Sequence, residues 1–246
     1  MSEVKNVPRL RFPEFNEQWD LRRLDQIGKF IGGGTPARTN FTYWDGEIPW
    51  ISSSDIVENN IRVINLNQTI TKDGLNNSAT KKIPKNSVII VSRVGLGKFA
   101  INEVDLCTSQ DFTNLIPNRD NSYFLGYQFE KLKNKFISLG QGTSIKGFTT
   151  TDLKNFRVNI PSLPEQQKIA DSLTAVDKRI ELLEKKKTLL ETYKKGVMKK
   201  IFNQEIRFKD DNGSDFPNWE KKRLGDIGEF KTSSVDKKLD DDEQEI

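Results

Sequence analysis

Between Pro161 and Phe202 the chain runs "PSLPEQQKIADSLTAVDKRIELLEKKKTLLETYKKGVMKKIF", and no other stretch limits the possible folds as much. Ser162 and Glu165 stand at capping-box spacing, Pro164 falls in a first turn where its missing N–H does no harm, and the next breaker is Gly196. One long helix is predicted. Positions 169, 173, 176, 180, 183, 187, 190, 194, 197 and 201 step by four and three, and all except Lys187 and Lys194 are apolar, which is the seam of a coiled coil. About 38 residues rising 1.5 Å each make a rod of roughly 57 Å, longer than a compact domain of this size needs. A helix with a sustained apolar stripe buries it on another helix, and the sequence holds one such helix. The expected partner is a second chain or a second segment of the same kind, met through Ile169, Leu173, Val176, Ile180, Leu183, Leu190 and Val197. The alternative is a core helix folded back on residues 1–160.

Residues 1–160 read as a mixed α/β domain, so the fold class is α+β: a mixed domain followed by a long coiled-coil spacer helix over 161–203, and a third segment over 204–246. "IPWISSSDI" (48–56) and "SVIIVSRVG" (87–95) are short β-rich runs bounded by Gly, Pro and Ser. "SYFLGYQFEKLKNKF" (122–136) has helical spacing at Leu125, Phe129, Leu132 and Phe136. The loops "IGGGTPARTN" (31–40), "LNNSATKK" (75–82) and "LGQGTSIKGFTT" (139–150) are rich in small hydrogen-bonding residues and flexible backbone.

Chemistry is bounded by what is missing. The 246 residues include no histidine, which removes the commonest general base and metal ligand. The single Cys107 excludes an intrachain disulfide and any cysteine-based zinc site, and fits a reducing cytoplasm. No metal site is expected, and an enzyme is disfavoured. No apolar run reaches membrane-spanning length, and the N-terminus lacks a signal-peptide core, so a cytoplasmic location is expected. The formal charge of +4 hides an asymmetry: residues 231–246 carry six acidic side chains against three lysines, which leaves +7 on residues 1–230. That acidic tail is expected to be mobile and dispensable. A moderate basic excess favours a polyanion partner.

Recognition of duplex DNA needs cations for phosphates and planar or small polar groups for base edges. The loops supply both. Arg38, Arg93, Lys98 and Lys146 are candidates for phosphate or guanine contacts, and Thr35, Ser53, Gln110, Gln141 and Thr143 for base edges or loop shape. "GLGK" (95–98) fails as a phosphate loop because Phe99 follows Lys98 and the preceding spacing is wrong. Glu184-Lys185-Lys186 has the Glu-x-Lys form of some nucleases but lies on the predicted helix without an acidic partner on a strand.

One further pattern is a repeat. "WDLRRLDQIGKF" at 19–30 returns as "WEKKRLGDIGEF" at 219–230, each preceded by Arg-Phe, at Arg11-Phe12 and Arg207-Phe208. With the helical segment and the strings "GGGTP" (32–36), "YWDGEIPWIS" (43–52), "ITKDGLNNSA" (70–79) and "GTSIKGFTTTDLKN" (142–155), the chain resembles the specificity subunits of type I restriction-modification systems. The resemblance covers about residues 7–230. It implies a noncatalytic DNA sequence-recognition subunit of a host-defence complex, with residues 1–160 as a target recognition domain. In that family a complete subunit reads domain, helix, domain, helix, with the helices antiparallel. The closing string would then open a second recognition domain that the chain does not complete. The resemblance places methyl transfer, ATP use and cleavage, with S-adenosylmethionine, ATP and Mg, in partner modification and restriction subunits, and no cofactor here. A homodimer through the spacer helix is a further expectation. A coiled-coil protein-binding scaffold without DNA specificity is the main alternative, and a standalone nuclease a third reading.

Overall fold

A computed structural model describes residues 8–140 and 147–231. The chain divides into two compact units, residues 1–183 and 184–246.

In the first unit, β1 (Asp20–Arg23), the single-turn helix α1 (Leu24–Ile27) and β2 (Gly28–Gly32) are followed by β3 (Trp44–Ile51), β4 (Gln68–Ile70), α2 (Lys72–Asn76) and β5 (Lys82–Ile83). Then come β6 (Val88–Ile90), β7 (Phe99–Ile101), β8 (Leu106–Thr108), β9 (Thr113–Pro117), α3 (Ser122–Lys131), α4 (Lys133–Ser138), α5 (Thr150–Asn155) and β10 (Arg157–Ile160). Two four-stranded sheets form, in the orders β2-β9-β6-β7 and β4-β3-β8-β5, together with a β1-β10 pair. All pairings are antiparallel except β3 with β8, where Trp50 faces Cys107 and Ile51 faces Thr108.

The alternation of strand side chains explains the layering. Val88 and Ile90 of β6, with Phe99 and Ile101 of β7, join a core shared with α3, α4, α5 and Ala170. Ile89, Val91 and Ala100 point the other way and pack with Ile51, Ile83, Leu106 and Phe112 between the two sheets. The run "VIIV" (88–91) is apolar throughout because its strand is buried on both faces.

The helical run expected over 122–136 divides at Leu132, whose N–H turns to both Gln128 and Phe129 carbonyls at 3.0 Å. On a straight helix Phe129 and Phe136 would be displaced by roughly 10.5 Å along the axis. The break brings their ring centroids to 5.0 Å, and both rings meet Phe99, at 5.8 and 5.1 Å.

The long helix is observed as α6 (Leu163–Phe202), 40 residues. Its first turn is anchored in the domain. Glu165 is buried and accepts both Arg11 nitrogens at 2.7 Å and the Trp19 indole N–H at 3.2 Å. Gln166 accepts the Asn121 N–H at 2.9 Å and donates to Asp120 at 2.9 Å and the Pro161 carbonyl at 3.0 Å. Farther on, the Tyr127 hydroxyl donates to Asp177 at 2.6 Å, and Arg62 stands 3.5 Å from Glu181.

Of the seam residues, Ile169 packs on the domain core and Val197 is half-buried. Leu173, Val176, Ile180, Leu183 and Leu190 are 40 to 56 % exposed. In the second unit the repeated string forms a single-turn helix α7 (Leu224–Ile227). No helix of the described residues is long and apolar enough to cross a membrane.

Candidate nucleic-acid interface

Parallel strands deliver their C-terminal ends to the same edge of a sheet, so the β3-β8 pair has a consequence absent from the antiparallel pairs. Ser53 lies two residues beyond Ile51, and Gln110 two residues beyond its partner Thr108. The Ser109 N–H bonds to the Ile51 carbonyl at 2.9 Å and holds the two exits together. Asp55 closes the Ser53 turn by accepting the Ser52 N–H and hydroxyl, each at 2.8 Å.

The glycine loop after β2 is threaded onto this edge. Gly34 N–H reaches the Thr108 carbonyl at 2.8 Å, and a Cβ on Gly33 would fall 2.0 Å from the Ser109 carbonyl oxygen. Glycine is required there by close approach of backbone to backbone. The result is to set Thr35 against Gln110, with the threonine hydroxyl donating to the carboxamide oxygen. That bond uses the oxygen of Gln110, an exposed residue, and not its NH2.

Arg38 lies on the same loop. Its guanidinium carbon is 4.3 Å from the Trp44 ring centroid and 5.1 Å from that of Trp50, and Nη1 donates to Gln68 at 3.1 Å. The two indoles meet edge to face at 5.2 Å, and Trp50 is itself pinned by its N–H to the Gly34 carbonyl at 3.0 Å. Arg38 is thus an exposed cation held against an aromatic shelf.

Arg93 joins from the β6-β7 turn. The N–H groups of Ser92 and Arg93 both donate to the Asp111 carbonyl, at 2.8 and 3.1 Å, next to Gln110. Phe148 N–H bonds to the Ser92 carbonyl at 3.1 Å, so the far end of the third glycine-rich loop is fastened to this turn. Gln141, Thr143 and Lys146 of that loop, and residues 232–246, lie outside the described residues.

The structure therefore brings Thr35, Ser53, Arg93 and Gln110 onto one connected set of loops, with Arg38 on the adjoining shelf. Lys98 stands apart: its charge reaches Glu58, whose carboxyl is held below its ordinary range first by the bond from Lys133 and, more weakly, by Lys98. Sequence reasoning missed Gln68, Trp44, Trp50 and Asp111. The tryptophans were legible in "YWDGEIPW", six and twelve residues after Arg38, whereas Gln68 and Asp111 act through tertiary contacts with no local signature. Among the described residues no group of His, Cys, Asp and Glu side chains could hold a metal ion.

Comparison with known proteins adds a family. Residues 16–192 match the type I restriction modification DNA specificity domain. The MjaIX type I restriction enzyme specificity subunit of Methanocaldococcus jannaschii is 31 % identical over 231 residues, covering 89 % of this chain and 53 % of that protein. The EcoR124I/EcoR124II specificity subunit of Escherichia coli is 29 % identical over 202 residues, covering 78 % and 46 %. Among solved structures, the S subunit of a type I restriction-modification system from M. genitalium has the same fold, with a TM-score of 0.55 at 19 % identity over 77 % of this chain and 46 % of that one. The chain spans about half the length of the curated relatives it matches.

Proposed function

From the premise that this chain belongs to the type I restriction modification DNA specificity domain family, we propose that it is a noncatalytic DNA sequence-recognition subunit whose reading surface is the loop cluster around Thr35, Arg38, Ser53, Arg93 and Gln110. The observation that carries the reading is the joint arrival of these side chains at the shared end of β3 and β8, beside an arginine held against Trp44 and Trp50. Such a surface offers a cation for phosphate or guanine and a carboxamide for a base edge. Gln141, Thr143 and Lys146, outside the described residues, join the proposal from the sequence alone.

Partners do the chemistry in this reading. Methyl transfer with S-adenosylmethionine, and ATP- and Mg-dependent translocation and cleavage, belong to modification and restriction subunits that the chain directs to a site in the cytoplasm. Two copies pair through the exposed stripe Leu173, Val176, Ile180, Leu183 and Leu190 of antiparallel α6 helices. The two domains of such a pair are related by a two-fold axis and read inverted copies of one half-site.

The experiment is equilibrium binding of the complex with modification subunits to duplex DNA at several salt concentrations. Affinity should fall with salt, and Arg38→Ala should weaken it. Affinity independent of salt and of Arg38 would leave the protein-binding scaffold as the reading.

A further inference from the structure

The hairpin between β6 and β7 carries a valine in a backbone conformation that suits valine least. Ile90 faces Phe99 in the strand register, and the Val91 N–H closes the hairpin on the Lys98 carbonyl at 3.1 Å, which leaves a turn over residues 92–97. Within it Val94 has φ 30, Gly95 φ 96 and Gly97 φ 85. The glycines take positive φ without steric cost, whereas Val94 brings a branched Cβ toward the following carbonyl oxygen. Among the described residues the other non-glycine positions with positive φ are Asp45, Asn59, Asn86 and Gln204, all polar, and Asp and Asn are the side chains that best accept this region.

The surroundings hold the turn in this shape. On its first side the N–H groups of Ser92 and Arg93 donate to the Asp111 carbonyl at 2.8 and 3.1 Å, and the Ser92 carbonyl accepts the Phe148 N–H at 3.1 Å. The Ser92 hydroxyl donates to the Asp111 carbonyl at 3.2 Å and accepts from the Thr113 hydroxyl at 3.0 Å. On its second side Leu96 packs on the main core, and a Cβ on Gly97 would fall 3.0 Å from the Ile137 side chain. With both sides fixed, the conformation of Val94 is imposed on it. Packing makes little use of its side chain: Leu96 turns inward, while Val94 is 52 % exposed beside an exposed Arg93. Glycine at position 94 would give the fold the same turn without the cost, so the use of the two methyl groups lies outside the fold.

We propose that Val94 is a specificity-determining residue whose methyl groups lie against the C5 methyl of a thymine in the major groove. The inference rests on the DNA reading above. The turn is tied through Asp111 to the residue next to Gln110, so a duplex that meets Arg93 and Gln110 also meets the tip between β6 and β7. Base edges in the major groove carry hydrogen-bonding groups and one apolar group, the thymine methyl. An apolar side chain on this surface therefore has one feature to read. Val94 is prepared for it, since a clamped backbone and a branched Cβ leave little rotamer freedom to lose on contact.

The test uses the chain assembled with modification subunits and the duplex that this complex selects from a random pool. Thymines of the selected site are replaced one at a time by uracil, which lacks only the C5 methyl. At one thymine the affinity should fall about fourfold, the worth of one buried methyl group. Val94→Gly, which suits the positive φ, should bind the thymine and uracil duplexes equally at that position, at the affinity the unsubstituted complex shows for uracil. A selected site without thymine, indifference of the unsubstituted complex to every uracil, or discrimination that survives Val94→Gly overturns the proposal. A complex that selects no sequence overturns the DNA reading itself, and this inference with it. The uracil series on the unsubstituted chain needs no variant to fold.

Discussion

Arg38 shows how a single residue can be prepared for a charged partner before the partner arrives. Cation–π contact with Trp44 and Trp50 and one N–H on Gln68 hold the guanidinium in place with donors left to offer. Against a guanine, Arg38→Ala should cost about 1–3 kcal/mol on the preferred base, and Arg38→Lys should keep salt dependence while losing that preference. Gln110 is oriented differently, by the Thr35 hydroxyl on its oxygen. Gln110→Ala should relax preference at one base position and leave other positions and the salt slope alone. Lys146, outside the described residues, is proposed as a point charge for phosphate. Lys146→Ala should weaken all sequences about equally and reduce the slope of log affinity against log salt by roughly one. Binding measured across a panel of single-base variants at several salt concentrations checks all three. Stability separates the two copies of the repeat in the same residue-by-residue way. Leu24→Ala should cost about 2–5 kcal/mol, and Leu224→Ala less than about 0.5 kcal/mol in dilute protein, by denaturant unfolding.

At the scale of elements, α6 is held to its domain by polar groups as much as by packing. Burial, then the bond to Asp177, pushes the Tyr127 phenol from its ordinary 10.0 up to about 12. Burial and Glu103 do the same to Tyr123, also to about 12. A phenol whose folded-state pKa is raised contributes stability that is complete below pH 10 and is lost as pH climbs through 12. Melting temperature should therefore fall over that window. Tyr127→Phe should shrink the fall and cost about 1 kcal/mol at neutral pH. Much of this architecture was legible beforehand. The capping-box spacing of Ser162 and Glu165 and the unbroken four-three spacing announced α6, although the Glu165 carboxylate is given to Arg11 and Trp19, and "SVIIV" announced a strand. The break at Leu132 was not legible, because the edge-on and tilted packing of Phe129, Phe136 and Phe99 that goes with it joins residues from different elements. The parallel β3-β8 pair was hidden for the same reason: its partners are more than fifty residues apart, and register between distant strands leaves no local periodicity. The candidate site followed suit. Its loops were read from composition, but their convergence and the Gln68 and Asp111 contacts depend on that pairing.

For the whole molecule the issue is how a chain spanning about half the length of its relatives could address a two-part target. The exposed seam on α6 supports pairing of two copies. Equilibrium sedimentation should find a dimer at micromolar concentration that Leu183→Lys reduces to monomer, and a monomer insensitive to that change would remove the pairing. Paired copies present identical reading surfaces about a two-fold axis, so the symmetry of the protein should be written into the DNA it selects. Selection of duplex DNA from a random pool by the chain assembled with modification subunits tests this most directly. The account predicts enrichment of one short half-site in two inverted copies at fixed spacing. A pool that stays random after repeated rounds, or a selected sequence without two-fold symmetry, would contradict it.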